Sequence, residues 1–245
     1  MTIRREWRYG NTTYLSGRVL DSRIDGSVLA PVPLGLYLRG VWDPRAEFAD
    51  LWLEPGIQDL CPPLADWARK VVAAGKRPVY EMEQVIPGSD PAELDDPITR
   101  AVDFARAGNL DAAFALLQKC LEGDLRCLDA YAHLGCYRFG DGGSEWGTRL
   151  AAKCYRAAAA AGERSLPAGF DGLLLWSWVG KRPFLRALHG LGLCCWRLGD
   201  FDGAFELFLR LLEFGPDDGI GARFLVLPVQ ARSSYLDWVR SAEER

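Results

Sequence analysis

The chain has 245 residues, 49% of them hydrophobic and 25% charged, which is the balance of an ordinary globular protein with a sizeable core. Its formal net charge is −4, and its 29 basic and 33 acidic residues are interspersed, so we expect no nucleic-acid partner. The sequence has no stretch of about 18 apolar residues and no apolar leader, so we expect no membrane partner and a cytoplasmic location.

The amino-terminal part, 1–90, is predicted to be a small mixed segment with β character. It opens with aromatic residues such as Trp7 and Tyr14 between glycine-containing turns, a pattern typical of short extended segments. A second apolar run, 28–38, is interrupted by two prolines and a glycine, which also favours extended chain over helix.

One helix is predicted within this mixed segment. Over 63–74, apolar residues recur at the spacing of one helical face, and Gly75 supplies a stop. The stretch 87–91 is rich in proline and glycine and predicts a linker. We therefore place a domain boundary here, with a helical repeat domain over 91–245.

From residue 95 onward, the apolar pattern becomes regular and predicts helices in pairs. Asp96 is suited to cap the first helix, Pro97 to its first turn, and Gly108 to its end. A second helix begins near Asn109, and the short connection makes the pair a helix hairpin. Two further hairpins are predicted, at 125–139 with 148–161 and at 184–198 with 201–214.

Two segments around the last hairpin complete the pattern. The carboxy-terminal segment, 221–245, is predicted to be a capping helix that is kinked or split at Pro228. The apolar run 173–179 allows two interpretations, a recognition loop or a segment packed beneath the amino-terminal part, and we favour packing.

The third hairpin resembles the tetratricopeptide-repeat (TPR) family. Gly192 and Ala204 are small where two helices cross closely, and Gly199 is placed to end the first helix. The matching positions are Leu188, Leu191, Gly192, Gly199, Asp200, Phe201, Ala204, Phe208, Leu211 and Pro216. The other two hairpins fit the same template, and runs near 169–176 and 215–225 are similar to uncharacterised bacterial repeat proteins. The resemblance implies a mostly α fold, an α-solenoid of TPR-like hairpins with a small amino-terminal mixed or β segment.

The resemblance also implies a binding surface. In TPR proteins the first helix of each hairpin lines a concave face. The positions that carry over are Arg186, His189, Leu193, Trp196 and Arg197 in the third hairpin and Arg106 in the first. Arginine forks and a tryptophan ring suit an acidic peptide or another carboxylate, so we predict a protein- or peptide-binding adaptor or scaffold without a cofactor. The alternative is that Trp196 belongs to the core and the arginines are solvated.

A different class of function stays open. His133, Cys136 and His189 have the chemistry of zinc or copper ligands, so the alternative to an adaptor is a small-molecule or metal-dependent enzyme of a biosynthetic pathway with its site around them. The enzyme is the less favoured class because the sequence identifies no catalytic residues. The seven cysteines are expected to be thiols. A self-associating scaffold is a third alternative, and the sequence leaves the oligomeric state open.

Overall fold

The fold is mostly helical, with a small strand-containing part at the amino-terminal side. The computed structural model describes residues 2–10, 12–18, 24–47, 62–89, 96–140, 143–177 and 182–243. Within these ranges the chain forms eleven helices and four strands. The predicted class is confirmed at this level, and no helix among these residues is long and apolar enough to cross a bilayer.

The amino-terminal part contains two antiparallel strand pairs. Its elements are β1 (Thr2–Tyr9), β2 (Thr12–Arg18), α1 (Gly26–Leu29), β3 (Leu36–Trp42), α2 (Pro44–Glu47), α3 (Pro62–Ala74) and β4 (Arg77–Met82). β1 pairs with β2, and the ring of Trp7 stacks on that of Tyr14 with centroids 5.4 Å apart. β3 pairs with β4 although 34 residues separate Trp42 from Arg77 in sequence, a pairing that no local pattern predicted. The predicted linker, 87–91, is described only as far as Ser89.

The remaining elements are helices, of which the first six pack in consecutive pairs. They are α4 (Pro97–Arg106), α5 (Leu110–Gly123), α6 (Leu128–Gly140), α7 (Glu145–Glu163), α8 (Arg182–Arg197), α9 (Phe201–Phe214), α10 (Arg223–Gln230) and α11 (Tyr235–Glu243). The predicted hairpins correspond to α4 with α5, α6 with α7 and α8 with α9. α8 also packs against α6 and α7, which brings the second and third hairpins together.

The helix starts are explained by their capping residues. The side chains of Asp96, Asn109, Ser144 and Asp200 each accept a hydrogen bond from the backbone N–H three residues later. Ser144 begins α7 at Glu145, three residues before the predicted start. Because a cap satisfies amides that the helix itself leaves unpaired, these polar residues fix where each helix begins.

The carboxy-terminal segment forms two helices, but the break does not lie at Pro228. Pro228 lies inside α10, which continues to Gln230. The break follows at 231–234, where the backbone N–H of Ser233 donates to the carbonyl of Pro228 at 2.9 Å and Arg232 has a φ of 52°. The helix therefore continues past the proline and ends before Arg232, a residue that adopts a left-handed conformation.

The segment before the third hairpin is packed against the amino-terminal part. Leu173 forms a parallel bridge with Val79 of β4. The N–H of Leu173 donates to the carbonyl of Pro78, and the N–H of Tyr80 donates to the carbonyl of Leu173, both at 2.8 Å. Leu173, Leu174 and Leu175 are buried, and the bonds to β4 confirm the packing interpretation for Leu173, whereas residues 178–179 of the run lie outside the described residues.

Of two apolar clusters among the described residues, the larger contains residues from both sides of the predicted boundary. Trp67 of α3 is buried and donates its indole N–H to the carbonyl of Leu212 in α9 at 3.1 Å. The backbone N–H of Leu34 donates to the hydroxyl of Ser165 at 2.8 Å. Whether 1–90 and 91–245 fold as separate domains stays a prediction. In the folded chain, residues from both ranges pack into the same apolar core.

Candidate functional site

A cavity of about 320 Å³ lies between α6 and α8, the first helices of the second and third hairpins. It brings together five of the residues singled out in the sequence. Arg186, His189 and Leu193 come from α8, and His133 and Cys136 come from α6. Residues predicted for partner binding and residues predicted for metal binding therefore share one site.

The inner wall of the cavity is the ring of Tyr155, and two glycines make room for it. A Cβ atom at Gly190 in α8 would lie 2.2 Å from this ring, and one at Gly135 in α6 would lie 2.7 Å from it. Non-bonded carbon atoms do not approach each other this closely, so both positions require glycine while the ring keeps its place. The buried ring separates α6 from α8 and thereby sets the width of the cavity.

Arg186 is the charged side chain of the cavity, and contacts with Asp129 and Trp176 fix its orientation. Its Nη1 donates to Oδ1 of Asp129 at 3.0 Å, and its guanidinium carbon lies 5.9 Å from the centroid of the Trp176 ring. The Asp129 side chain is 11% exposed, whereas that of Arg186 is 39% exposed. The pair therefore presents a guanidinium to the cavity while the carboxylate stays beneath it.

The two histidines are neutral at physiological pH. Burial lowers the pKa of His189 to about 4, and its ring packs against Phe208 with centroids 5.9 Å apart. Burial also lowers the pKa of His133, although Asp129, whose Oδ1 lies 3.7 Å from its Nε2, acts in the opposite direction. A neutral imidazole offers one hydrogen-bond donor and one acceptor, so both rings contribute polarity without charge.

The cavity lacks the donor set of a metal site. Cys136 reaches solvent at the cavity, yet the protein atoms around its sulfur raise the pKa of the thiol, which keeps it protonated and weakly nucleophilic. Among the residues that the structure describes, no group of three histidine, cysteine, aspartate or glutamate side chains is placed to hold a metal ion. The metal-dependent form of the alternative, an enzyme with its site around His133, Cys136 and His189, gains no geometric support from the described residues.

Two of the predicted partner-binding residues instead hold the last helix in place. Trp196 is 1% exposed, and its indole N–H donates to the carbonyl of Ser233 at 2.7 Å. Nη1 of Arg197 donates to the carbonyl of Phe139 at 2.8 Å, and its guanidinium lies between the rings of Phe139 and Tyr235, 3.6 and 4.5 Å from their centroids. The structure thus places Trp196 in the core, as the alternative interpretation had it, where a partner cannot reach its ring.

Arg106, the partner-binding residue predicted in the first hairpin, lies apart from this cavity. It is exposed on α4, and its Nη1 lies 3.5 Å from Oδ1 of Asp103. A surface pair of this kind contributes little to stability, so Arg106 remains available for contact with a partner.

The sequence missed two residues that shape the site. Asp129 was overlooked, although its position four residues before His133 places both on one face of α6. Trp176 was recognised only as part of an apolar run, because nothing local indicates that a loop residue 10 positions from Arg186 in sequence packs over it.

Neither family models nor curated proteins match this sequence.

Proposed function

We propose that the protein is a cytoplasmic adaptor that binds a peptide segment of a protein partner in the cavity between α6 and α8. The observation that carries this proposal is the convergence of Arg186, His189 and Leu193 on one cavity between two helix hairpins. A charged group beside neutral imidazoles and apolar walls is the composition of a binding site, in which a few polar groups orient a ligand that is otherwise held by apolar contact.

The proposal includes the TPR-like arrangement of the hairpins. In such an array, the first helices of successive hairpins line one face, and α6 and α8 pack against each other and both line the cavity. Asp200, which caps α9, and the close contact at Gly192, where a Cβ atom would lie 2.7 Å from the ring of Phe208, support this arrangement because these residues are among the positions that match the repeat pattern. The partner contact is accordingly expected on α6 and α8, with Trp196 and Arg197 excluded from it.

The test is selection from a library of displayed peptides, followed by measurement of the affinity of the enriched sequences. We expect Arg186→Gln to weaken binding about tenfold or more, because a hydrogen bond to a charged group contributes roughly 1.5–3 kcal/mol. Glutamine keeps an N–H donor for Asp129, so the variant should remain folded. Hydrogen exchange should show protection by the peptide in α6 and α8.

The matched control is Arg149→Gln on α7. Arg149 is exposed and pairs with Glu145 at 2.7 Å, outside the cavity, so its variant should bind as the natural protein does. The affinity of the variant Arg106→Gln shows whether the bound segment extends to the first hairpin, since weaker binding would mean that the segment contacts Arg106. A library that yields no binding peptide, or protection confined to other helices, would show that the cavity is not a peptide site.

A further inference from the structure

A second cavity, of about 500 Å³, lies between the amino-terminal part and the third hairpin. Its walls come from α3, from the first residue of β4, from α9 and from the last residue of α10. This α3–α9 cavity shares no lining residue with the cavity between α6 and α8. A ligand bound here would contact both parts of the chain without occupying the proposed peptide site.

Apolar side chains from two helices line much of the α3–α9 cavity. Trp67 and Val71, one turn apart on α3, are buried, and Phe205 and Leu209, one turn apart on α9, are partly buried. The indole N–H of Trp67 donates to the carbonyl of Leu212, so the ring offers the cavity an apolar surface. Phe205 and Leu209 keep exposed surface in the folded chain, and an apolar ligand that covers this surface gains binding free energy.

Arg77 brings a cation to this cavity without a carboxylate that neutralises it. Its partly buried guanidinium donates to the backbone carbonyls of Asp171 at 2.7 Å, Glu213 at 3.3 Å and Gly172 at 3.4 Å. Burial lowers the pKa of Arg77, and no ion pair joins it to an acid among the residues that the structure describes. Buried charges are normally paired, so this guanidinium favours an anionic ligand, for which two of its five N–H groups remain.

The other charged groups leave the cavity with an excess of about one positive charge. Lys70 lines the cavity and forms no ion pair within the described ranges, whereas the charge of Asp66 is balanced by its pair with Arg69. Glu213 is the remaining carboxylate of the lining, and it offsets one of the two cations. A carboxylate carries the single charge that balances this excess, whereas a phosphate monoester carries about 1.5–2.

We propose that the α3–α9 cavity binds a small apolar monocarboxylic acid. Its carboxylate pairs with Arg77 and is attracted by Lys70, and its apolar body lies against Trp67, Phe205 and Leu209. The volume of the cavity falls within the range, roughly 300–1,000 Å³, that small-ligand pockets occupy. Because the ligand contacts α3 and α9 together, its binding stabilises the packing of the amino-terminal part on the third hairpin.

The experiment measures binding of small probes to the full chain by isothermal titration calorimetry. Octanoate, octanamide and octylamine share one apolar body and differ in the charge of the head group. We expect octanoate to bind at least about tenfold more tightly than octanamide, because its carboxylate accepts charge-assisted hydrogen bonds, and octylamine to bind most weakly. Phenylpropanoate should show the same preference over its amide. Hydrogen exchange should show that octanoate protects both α3 and α9.

Two exposed residues give the proposal a test with opposite signs. Lys70→Gln removes an attracting cation and should weaken octanoate binding severalfold, whereas Glu213→Gln removes a competing carboxylate and should tighten it severalfold. Neither side chain forms an ion pair with the described residues, so both variants should fold as the natural protein does. The matched control is Lys119→Gln, which removes an exposed cation of α5 outside the cavity and should leave the affinity unchanged.

Arg77→Gln should abolish the preference for octanoate over octanamide. This variant also loses bonds to backbone carbonyls, so its melting temperature is measured beside its affinity. If Arg77→Gln fails to fold, the opposite effects of Lys70→Gln and Glu213→Gln still decide the proposal.

Each contrary outcome overturns a defined part of the proposal. Equal binding of octanoate and octanamide, or tighter binding of octylamine, would show that the cavity does not select an acid. Unchanged affinity in both Lys70→Gln and Glu213→Gln would place the bound acid elsewhere on the protein. Failure of every probe at millimolar concentration would exclude a small apolar ligand. None of these results bears on the peptide site between α6 and α8, which Arg186→Gln tests separately.

Discussion

Asp218 is a buried acid whose protonation is linked to folding. It precedes α10, has a φ of 43° and a fully buried side chain. Its Oδ1 accepts from the backbone N–H of Ala222 at 2.6 Å, and its Oδ2 accepts from that of Arg223 at 3.2 Å. Burial raises the pKa of Asp218 to about 6, and these two N–H groups act against that rise. The carboxyl group therefore titrates in the folded protein near mildly acidic pH.

The sign of the resulting pH dependence follows from the two pKa values. The folded value of about 6 lies above the ordinary value of 3.8, so the folded state binds this proton more tightly. The stabilising contribution is fully present below about pH 3.8 and is lost as the pH rises through about 6. Because one pKa unit corresponds to about 1.4 kcal/mol, the loss is at most about 3 kcal/mol.

We expect this loss in a comparison of the natural protein with Asp218→Asn by urea unfolding between pH 4 and pH 7. Other carboxyl groups titrate in the same range, and taking the difference between the two proteins removes their effect. The free energy of unfolding of the natural protein should fall relative to that of the variant as the pH rises. A difference that stays constant over this range would show that Asp218 ionises equally in the folded and unfolded chains.

The last helix, α11, is held mainly by the end of α8. Trp196 packs edge-on against Tyr235 with centroids 5.4 Å apart, and its ring centroid lies 5.3 Å from that of Trp238. The guanidinium of Arg197 lies against Tyr235 and Phe139, while its buried Nε has no hydrogen-bond partner among the described residues. Contacts with two aromatic rings and one hydrogen bond to the carbonyl of Phe139 therefore hold the guanidinium of Arg197 in place.

We expect Arg197→Ala to loosen α11 more than it loosens α6. The variant loses the bond to the carbonyl of Phe139 and the contacts with two rings, at a cost of about 1–3 kcal/mol. Hydrogen exchange should accelerate in α11 while α6 keeps its protection. Arg240→Ala is the matched control because Arg240 lies on α11 itself and is largely exposed. Equal acceleration in both variants would mean that Arg197 does not hold the helix.

Local sequence patterns predicted where the helices lie, but they did not predict which helix faces other elements cover. Asp96, Asn109 and Asp200 marked helix starts because capping acts within three residues of sequence. Trp196 was assigned to a binding face because the repeat pattern does not say that α11 covers this part of α8. Eleven of the sixteen residues of α8 are buried, so its periodicity alone does not distinguish a core face from a binding face.

At the scale of the whole molecule, the contacts that no local pattern predicts are those between distant parts of the chain. The bond from Leu34 to Ser165 spans 131 residues, and that from Trp67 to Leu212 spans 145. Composition near 87–91 predicted a boundary, but a boundary in composition does not say whether the two sides share apolar surface. Leu173 illustrates the same point, since its burial against β4 depends on a strand about 95 residues earlier.

The shared core predicts that the two sides of the chain unfold together. Trp67→Ala should lower the free energy of unfolding by about 3–5 kcal/mol, because it removes a buried ring and its bond to the carbonyl of Leu212. Urea unfolding followed by hydrogen exchange should show 62–89 and 182–243 losing protection in the same transition. Trp146→Ala is the matched control, since Trp146 is 65% exposed and its loss should cost less than about 0.5 kcal/mol. If 62–89 loses protection in Trp67→Ala while 182–243 stays protected, the sequence boundary near residue 90 separates two units that fold independently. The cavity between α6 and α8 would then lie on a helical domain that is stable without the amino-terminal part.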